Sequence, residues 1–576
     1  MKKLLFIALL ITSINSYVCS QVITHGPEIE NKEDRLLTKI LDGDSTCFFT
    51  YRLNIVDGVR YLKIEKYDKA TMNVLYSENI ADNEVDLNNI FSVGNKLYFF
   101  YHYFSGSASV LYFKEVSADG KLMPDKGLVA ETSTDDIELK EVEIIQNEEK
   151  TKFGVRASYI NKRTGKFQID FMVINAISFL KESTKTIKEG DLGYNYTEKE
   201  NFDKCYKRTK FWGLCMDKNN TIYYGFNYID RNPQTKVKPN NYKIIVCPTN
   251  EEKPGIVEIG FEMSYKVQDI SITPNNNNEV VFAGFFQEAI KKSGPDEMQH
   301  GVFGYTINAK TRKITANVST DFDEHLMKAM NSCMDKAKEA RYKVDYSFLR
   351  GGNVFIVGEM YGIAQDYTVV PVAGPSGGQV ATTRKTTQHY RDVVIAKYNV
   401  AGRFEWIKSL PLKTNVYNTV GDNLFYSGLG LPPFAGIKNI GQDEIKEYVA
   451  FATDDKIYIL NNEQKDNLKI IANPKYKPGD LRYSTDIPGT NFVYSSISID
   501  DGKMAHNLIF QNKPFCFAAS PYTLYSEQQI FLDTYHHIKV FNYPIEFEMP
   551  FLYNKDGVFV YTHQKGKDRF SKVKFD

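Results

Sequence analysis

The chain has 576 residues, 71 Lys and Arg against 71 Asp and Glu, 42% hydrophobic and 14% aromatic residues, and 7 Cys. That length exceeds what one ordinary hydrophobic core organises, so the chain divides into several domains or grows by repetition. A charged fraction of 25% beside this apolar content excludes a disordered chain, and zero net charge removes the basic footprint of a nucleic-acid binder, so no DNA or RNA partner is expected.

In chain order, a leader comes first. Lys2 and Lys3 precede the apolar run Leu4 to Ile11, and Val18-Cys19-Ser20 sets small or moderate residues ahead of Gln21, the pattern of a secretory signal peptide over 1–20 cleaved near Ser20. Thr12, Ser13, Asn15 and Ser16 break the run before the roughly twenty apolar residues that a membrane span needs. Lipidation at Cys19 is the alternative, although Ser16-Tyr17-Val18 is a poor lipoprotein lead. No later segment is long and apolar enough to span a bilayer, so the expected location is secreted, periplasmic or at the cell surface. The remaining cysteines, Cys47, Cys205, Cys215, Cys247, Cys333 and Cys516, are too sparse for a disulfide framework and lack paired zinc spacing. Cys205 and Cys215 form the nearest pair, and free thiols are expected for most.

From residue 36 one phrase recurs: four short segments rich in β-branched and aromatic residues, bounded by Asn, Asp and Gly turns. LLTKILD, TCFFTYRL, VRYLKIEKYD and TMNVLYS come first; VDLNNIFSV, KLYFFYHYF, SVLYFKEVSA and KLMPDKG follow, then ELKEVEIIQ, KFGVRASYI, KFQIDFMVIN and ISFLKES. The same template fits 207–261, 265–319, 344–410, and EYVAFA, KIYILNN, FVYSSISI and KMAHNLIF. EFEMPFLY, VFVYTHQ and RFSKVKF close the chain. Unit starts fall near 36, 85, 138, 207, 265, 344, 447 and 546. Four-stranded units repeated in this way describe an all-β fold: a single β-propeller over 21–576 with about eight (seven to eight) antiparallel blades. A pair of β-sandwiches is the alternative, but would not need this hairpin cadence along the whole chain. The last unit has only three strands, which predicts that residues 22 to 35 supply its outer strand and fasten the ring. One helix is expected near 321–340, where Phe322, Leu326, Met330, Cys333 or Met334, and Ala337 recur at helical spacing behind Asp321 as cap.

In such blades the connections between strands one and two and between three and four share one face of the disc. Here they are two to five residues long. The other face takes the excursions at 230–240, 288–300, 362–390, 411–446, 463–489 and 511–545, which marks it as the working surface. Its loops carry Tyr367, Arg384, Lys385, His389 and Tyr390, then Tyr417, Phe425, Tyr426 and Phe434, aromatic and basic residues suited to contacting a protein or a sugar. Lys236, Lys238, Lys291 and Lys292 add positive charge, diluted by Asp230, Glu288, Asp296 and Glu297.

Recognisable catalytic patterns are absent: there is no G-x-S-x-G elbow, no H-E-x-x-H, no P-loop and no EF-hand loop. His536-His537, the one close His pair, points to opposite faces if its segment is a strand, so no metal site is expected. Paired carboxylates for glycoside hydrolysis leave no sequence pattern. The stretch VAGRFEW, Val400 to Trp406, resembles the Gly-basic-x-x-Trp docking element of propellers related to quinoprotein dehydrogenases, which can have eight blades. That family repeats the tryptophan in every blade; here only Trp406 fits, Trp212 falls in an inner strand and vicinal cysteines are missing, so no cofactor is expected. The cadence GGNVFIVGEMYG then DVVIAKYNVAGRFEWIKSL is similar to repeats in secreted Bacteroidota-type β-propeller proteins of unknown function, which implies fold and export and carries over no catalytic residue. The sequence therefore points to an exported, non-enzymatic scaffold that binds a protein or glycan through its long-loop face. The alternative is a polysaccharide-active lyase or glycoside hydrolase with its site in the funnel.

Overall fold

The protein is described here from a computed structural model, which covers residues 22–575 apart from 32–36, 38, 57–58, 82–89, 105–108, 132–135, 162, 165, 193–208, 230–239, 262–264, 276–277, 290–297, 325, 328–338, 373–378, 400, 423–444, 447, 472–480, 482–489, 510–546, 549–550 and 565. Two short strands lead, β1 (Val22–His25) and β2 (Ile29–Glu30). Blade 1 is β3 (Lys39–Asp42), β4 (Cys47–Val56), β5 (Val59–Asp68) and β6 (Val74–Ala81). Blade 2 is β7 (Ile90–Val93), β8 (Lys96–Phe104), β9 (Ser109–Val116) and β10 (Leu122–Glu131). Blade 3 is β11 (Ile137–Gln146), β12 (Lys152–Asn161), β13 (Phe167–Asn175) and β14 (Lys181–Lys188). Blade 4 is β15 (Thr209–Met216), β16 (Ile222–Ile229), β17 (Asn240–Cys247) and β18 (Gly255–Ile259). Blade 5 is β19 (Tyr265–Pro274), β20 (Glu279–Ala289), β21 (Met298–Asn308) and β22 (Lys313–Asp321). Blade 6 is β23 (Glu339–Arg350), β24 (Asn353–Val372), β25 (Gln379–Tyr398) and β26 (Phe404–Asp422).

After the two-residue β27 (Ile445–Lys446), blade 7 is β28 (Tyr448–Ala452), β29 (Lys456–Gln464), β30 (Thr490–Ser498) and β31 (Met504–Leu508), with the helix α1 (Lys465–Ile471) between its second and third strands. Then come β32 (Phe547–Glu548), parallel to β27, and the three last strands β33 (Phe551–Asn554), β34 (Gly557–Gln564) and β35 (Lys567–Lys574). Each blade is a separate antiparallel sheet in sequential order, and the molecule is an eight-bladed β-propeller. The repeat boundaries read from sequence agree with the blades. The eighth blade completes itself as predicted: β1 pairs antiparallel with β35, Val22 opposite Lys574 and His25 opposite Ser571, while β2 pairs lower on the same strand.

The turns between third and fourth strands explain how neighbouring blades interlock. Asn175 closes one such turn by accepting the Ile177 and Ser178 amides, each at 3.0 Å, on its Oδ1, and the Phe179 amide at 2.9 Å on its carbonyl. This forces Phe179 to φ 56°, and Met72 and Arg312 repeat the geometry at 57° and 56°. A non-glycine residue pays about 1 kcal/mol there, and packing against the preceding blade offsets it. Phe179 stacks on Phe113 of blade 2 with centroids 3.8 Å apart, Met72 sits among Phe559, Tyr561 and Phe570 of blade 8, and Arg312 pairs with Glu251 of blade 4. Where the preceding blade stands closer, glycine fills the position: at Gly402, φ 71°, a Cβ would meet Thr306 Oγ1 at 2.0 Å. Gly502 approaches blade 6 in the same way, where a Cβ would lie 2.7 Å from Lys408 Cε and 3.3 Å from Trp406 Cδ2, at the seam between blades 6 and 7.

The helix expectation changes in one detail. Glu324, Leu326 and Met327 are helical, but the cap is Asp323, whose Oδ1 accepts the Leu326 amide at 2.9 Å; Asp321 still pairs with Gly301 as the last residue of β22. Phe322 and Leu326 are buried against Tyr342 in the core shared by blades 5 and 6, and 328–338 lie outside the described residues. Among the described residues no helix is long and apolar enough to cross a membrane. Cys47, Cys215 and Cys247 are free thiols. The other cysteines, the leader over 1–20 and His536-His537 lie outside the described residues.

Candidate functional site

Blade 6 is unlike the others. Its first strand ends pairing at Glu339 opposite Ile363, yet β24 and β25 continue as a hairpin to Val372 opposite Gln379, and β26 follows β25 out to Asp422. A segment read from sequence as a loop with a flexible centre is therefore a three-stranded arm. Nine further residues at about 3.4 Å each carry it about 30 Å beyond the blade. Alternating Thr, Val and Tyr across 366–390 and 413–422 gives these strands their β preference. The arm springs from the connection between second and third strands, the face of the long excursions.

The register places the predicted binding residues individually. Tyr367, Arg384 and Val420 form one cross-strand row. Tyr390, between Tyr361 and Thr414, lies at positions of the same parity. Lys385 (between Asp366 and Thr419), His389 (between Gly362 and Asn415) and Tyr417 (opposite Thr387) take the other parity, because side chains alternate along a strand. Three of the nine thus occupy each parity of the arm, and Phe425, Tyr426 and Phe434 lie outside the described residues, as do Lys236, Lys238, Lys291 and Lys292.

A second feature was missed from sequence. The inner strands of blades 3 to 6 each carry a bulge, which inserts Lys140, Trp212, Gln268 and Asp345 respectively. Bulges re-aim side chains and concentrate beside functional sites. In blades 5 and 6 the bulge ties neighbouring blades together, and in blade 4 it bonds within the blade. Gln268 and Asp269 accept the Tyr342 and Val344 amides of the next inner strand, each at 2.9 Å; Trp212 Nε1 donates to Asn227 at 2.9 Å; the Tyr448 hydroxyl donates to Asp345 at 2.8 Å. Blade 3 instead gathers charge beside its bulge, against blade 4. Arg156, buried, donates from Nε to Glu143 at 3.2 Å, from Nη2 to Glu141 at 3.2 Å and from Nη1 to Ser158 at 2.8 Å, with its guanidinium over Tyr224 and Phe211 of blade 4. The two glutamates keep 43% and 36% of their side chains open. Burial of the Glu143 carboxyl raises it above the ordinary range against the pull of Arg156. A raised carboxyl beside a second, arginine-held one is an arrangement that can exchange protons.

The densest cluster of titratable groups lies at the seam of blades 1 and 8. Arg52 donates from Nη2 to Glu65 at 2.9 Å and from Nη1 to Asp568 at 2.8 Å. Tyr67 and Thr50 donate to Glu65 Oε2 at 3.0 and 3.4 Å, Ser77 reaches Oε1 at 3.4 Å, and Lys63 lies 3.4 Å from it. Asp568 Oδ1 takes the Tyr561 hydroxyl at 2.6 Å, His563 Nδ1 at 2.8 Å and Asn31 Nδ2 at 3.3 Å. Arg52, Glu65 and Asp568 are at most 5% exposed, so this cluster is walled off from solutes. On the opposite face, Asp42 is held by Lys69 at 2.6 Å, Lys150 of blade 3 at 3.1 Å and Asn554 of blade 8 at 2.9 Å, which draws that end of the ring together.

No protein-family model matches the chain, and no curated protein does either. Solved structures match at low superposition. The polysaccharide lyase Uly1 covers 80% of this chain and 90% of its own at 10% identity and TM-score 0.35. The α-L-arabinanase of Penicillium chrysogenum complexed with arabinobiose covers 52% and 98% at 8% identity and 0.24. The Nup133 β-propeller domain of Vanderwaltozyma polyspora covers 73% and 96% at 8% identity and 0.27. At these scores no function follows, and the eight-blade assignment rests on the sheet topology above. None of these comparisons supports the resemblance to secreted Bacteroidota-type propellers.

Proposed function

We propose that the chain is exported and acts as a non-enzymatic scaffold, holding a protein or glycan partner on the face from which the blade 6 arm rises. The arm is the observation that carries this reading. The arm continues about nine residues past the point where the first strand of the blade stops pairing, and a structured excursion on a rigid scaffold positions binding residues. Beyond Ile363 the edge of β24, and the outer edge of β26, pair with no described strand, and such edges accept an extended polypeptide by main-chain pairing. That favours the protein partner over the glycan. The test is a glycan array and an envelope pull-down with the mature chain beside a variant in which Ala364–Thr387 is replaced by an Asn-Gly turn. A partner retained by the mature chain and lost by the variant supports the reading; equal retention by both defeats it.

Glu141, Glu143 and Arg156 favour a second reading, a polysaccharide-active lyase or glycoside hydrolase with its site beside these three residues of blade 3. Under that reading the mature chain depolymerises a member of an anionic and neutral polysaccharide panel and Glu143→Gln abolishes the activity. Cleavage unaffected by Glu143→Gln counts against it.

A further inference from the structure

Large apolar side chains left in water are unevenly spread around the ring. Among the described residues, all but one of those that are exposed lie on four consecutive blades, 8, 1, 2 and 3. Val22 opens β1, Leu75 stands near the start of β6, Met123 lies near the start of β10 with Leu128 further along it, and Ile177 and Leu180, 77% and 68% exposed, belong to the turn into β14. The first residues of the outer strands of blades 4, 6 and 7, Gly255, Phe404 and Met504, are buried or half-buried. Packing joins the exposed residues into one row. The turn of blade 2 lies on blade 1, where a Cβ on Gly120 would stand 2.8 Å from Tyr76 Cδ2, next to Leu75. The turn of blade 3 lies on blade 2, where Phe179 stacks on Phe113 and a Cβ on Gly127, next to Leu128, would stand 2.1 Å from the same ring. At the other end Gly26, which follows β1, meets the turn before β6, with a Cβ 2.7 Å from Met72 Cβ. Each outer strand starts at the face of the short turns, so the row follows the edge of the face opposite the arm.

We propose that this row is a lipid-facing surface: the ring rests on a bilayer with the short-turn edge of blades 8, 1, 2 and 3 and holds the arm on the far side, away from the lipid. The inference rests on export, which belongs to the reading above, and is independent of what the arm binds. An exposed leucine on its own is ordinary, whereas connected exposed apolar surface marks contact with a protein or a membrane. Two observations choose the membrane. A row that follows the edge of a disc is met along its length by a flat surface. The chain also enters the ring at Val22, so the residues before it, with the apolar run Leu4 to Ile11 and Cys19 among them, join the ring at one end of the row. A leader held in the membrane during export, or a lipid on Cys19, therefore sets this edge toward the bilayer. Apolar side chains at the headgroup boundary bind weakly alone and add to such a tether.

The test is flotation of the mature chain with phosphatidylcholine vesicles and with vesicles that also carry phosphatidylglycerol. Beside it run the variant Leu75→Ser, Leu128→Ser, Ile177→Ser, Leu180→Ser and the variant in which an Asn-Gly turn replaces the arm. The parent and the arm variant are expected to float with both kinds of vesicle, at high salt as at low, because the contact is apolar; the quadruple variant should bind about tenfold less lipid or weaker still, at an unchanged thermal midpoint. A parent that stays in the soluble fraction with both vesicles overturns the proposal, as does a quadruple variant that floats like the parent. A parent that is dimeric by light scattering in lipid-free solution, with the quadruple variant monomeric, gives the row to a second copy of the chain and overturns it too. Should the quadruple variant have a lowered midpoint, Ile177→Ser with Leu180→Ser is measured in its place, with the same outcomes. Failure to float leaves the arm reading standing, and loss of the pull-down partner leaves this one standing.

Discussion

Arg52→Met should destabilise the ring and reverse the sign of its response to mild acid. In the parent, burial pushes both carboxyls up, but Arg52, Lys63 and Tyr67 at Glu65, and His563, Arg52 and Tyr561 at Asp568, outweigh it and hold both below their ordinary values of 4.5 and 3.8. Groups depressed in this way contribute stability that is complete above their unfolded values and lost as pH falls through the folded ones. Between about pH 7.5 and about pH 5 the parent contribution is therefore flat. Without Arg52 the buried Glu65 keeps only Lys63 and the buried Asp568 only His563 as potential counter-charges, and the expected loss at neutral pH is about 3–5 kcal/mol. Their folded values now rise above the unfolded ones, a penalty that is full at high pH and relieved as pH falls, by about 1.4 kcal/mol per unit of upward shift. Urea unfolding of parent and variant across that range reads both effects: the gap between the two should narrow toward pH 5. A gap that stays constant or widens refutes the assignment of Arg52 as the group holding these carboxylates ionised.

Four further outcomes follow from the structure. Phe179→Ala should cost about 2–3 kcal/mol in urea unfolding, because the ring that stacks on Phe113 also lies 4.6 Å from Tyr98. Phe179→Gly should be less damaging than Phe179→Ala by about 1 kcal/mol, the reverse of the usual order, since φ is 56° there. Gly402→Ala places a Cβ 2.0 Å from Thr306 Oγ1 at φ 71° and should cost about 1–3 kcal/mol, seen as a lower thermal midpoint; an unchanged midpoint contradicts the close approach of blades 5 and 6. Burial drives the Cys215 and Cys247 thiols well above their ordinary range, so in the native protein neither should react with an aromatic disulfide at mildly alkaline pH, and both should react after denaturation.

Much of the ring was legible in the sequence because a blade repeats its own signals: alternating strands, and Asn, Asp or Gly at fixed turn positions such as Asn175, Asn308 and Gly402. The missing eighth outer strand was deducible from a count, since the last unit has three strands and Val22-Ile23-Thr24 stands unclaimed at the other end. The arm was misread because Gly374, Pro375, Ser376, Gly377 and Gly378, followed by a run of threonines, read as a flexible connection; local composition does not report that β26 follows β25 outward and supplies a third strand. The bulges at Lys140, Trp212, Gln268 and Asp345 left no pattern because an inserted residue is defined by its partner strand. The Arg52 cluster was hidden for a similar reason, as its members are separated by 516 positions between Arg52 and Asp568 and meet only on closure.

The arm face is the proposed binding surface. Hydrogen exchange of the chain, with and without any partner recovered in the pull-down, tests that most directly. Slowed exchange confined to the amides of 364–372 and 413–422 and the connections beside them is the predicted result; slowing at the short turns of the opposite face around Asp42 and Lys150, with the arm unchanged, would contradict it.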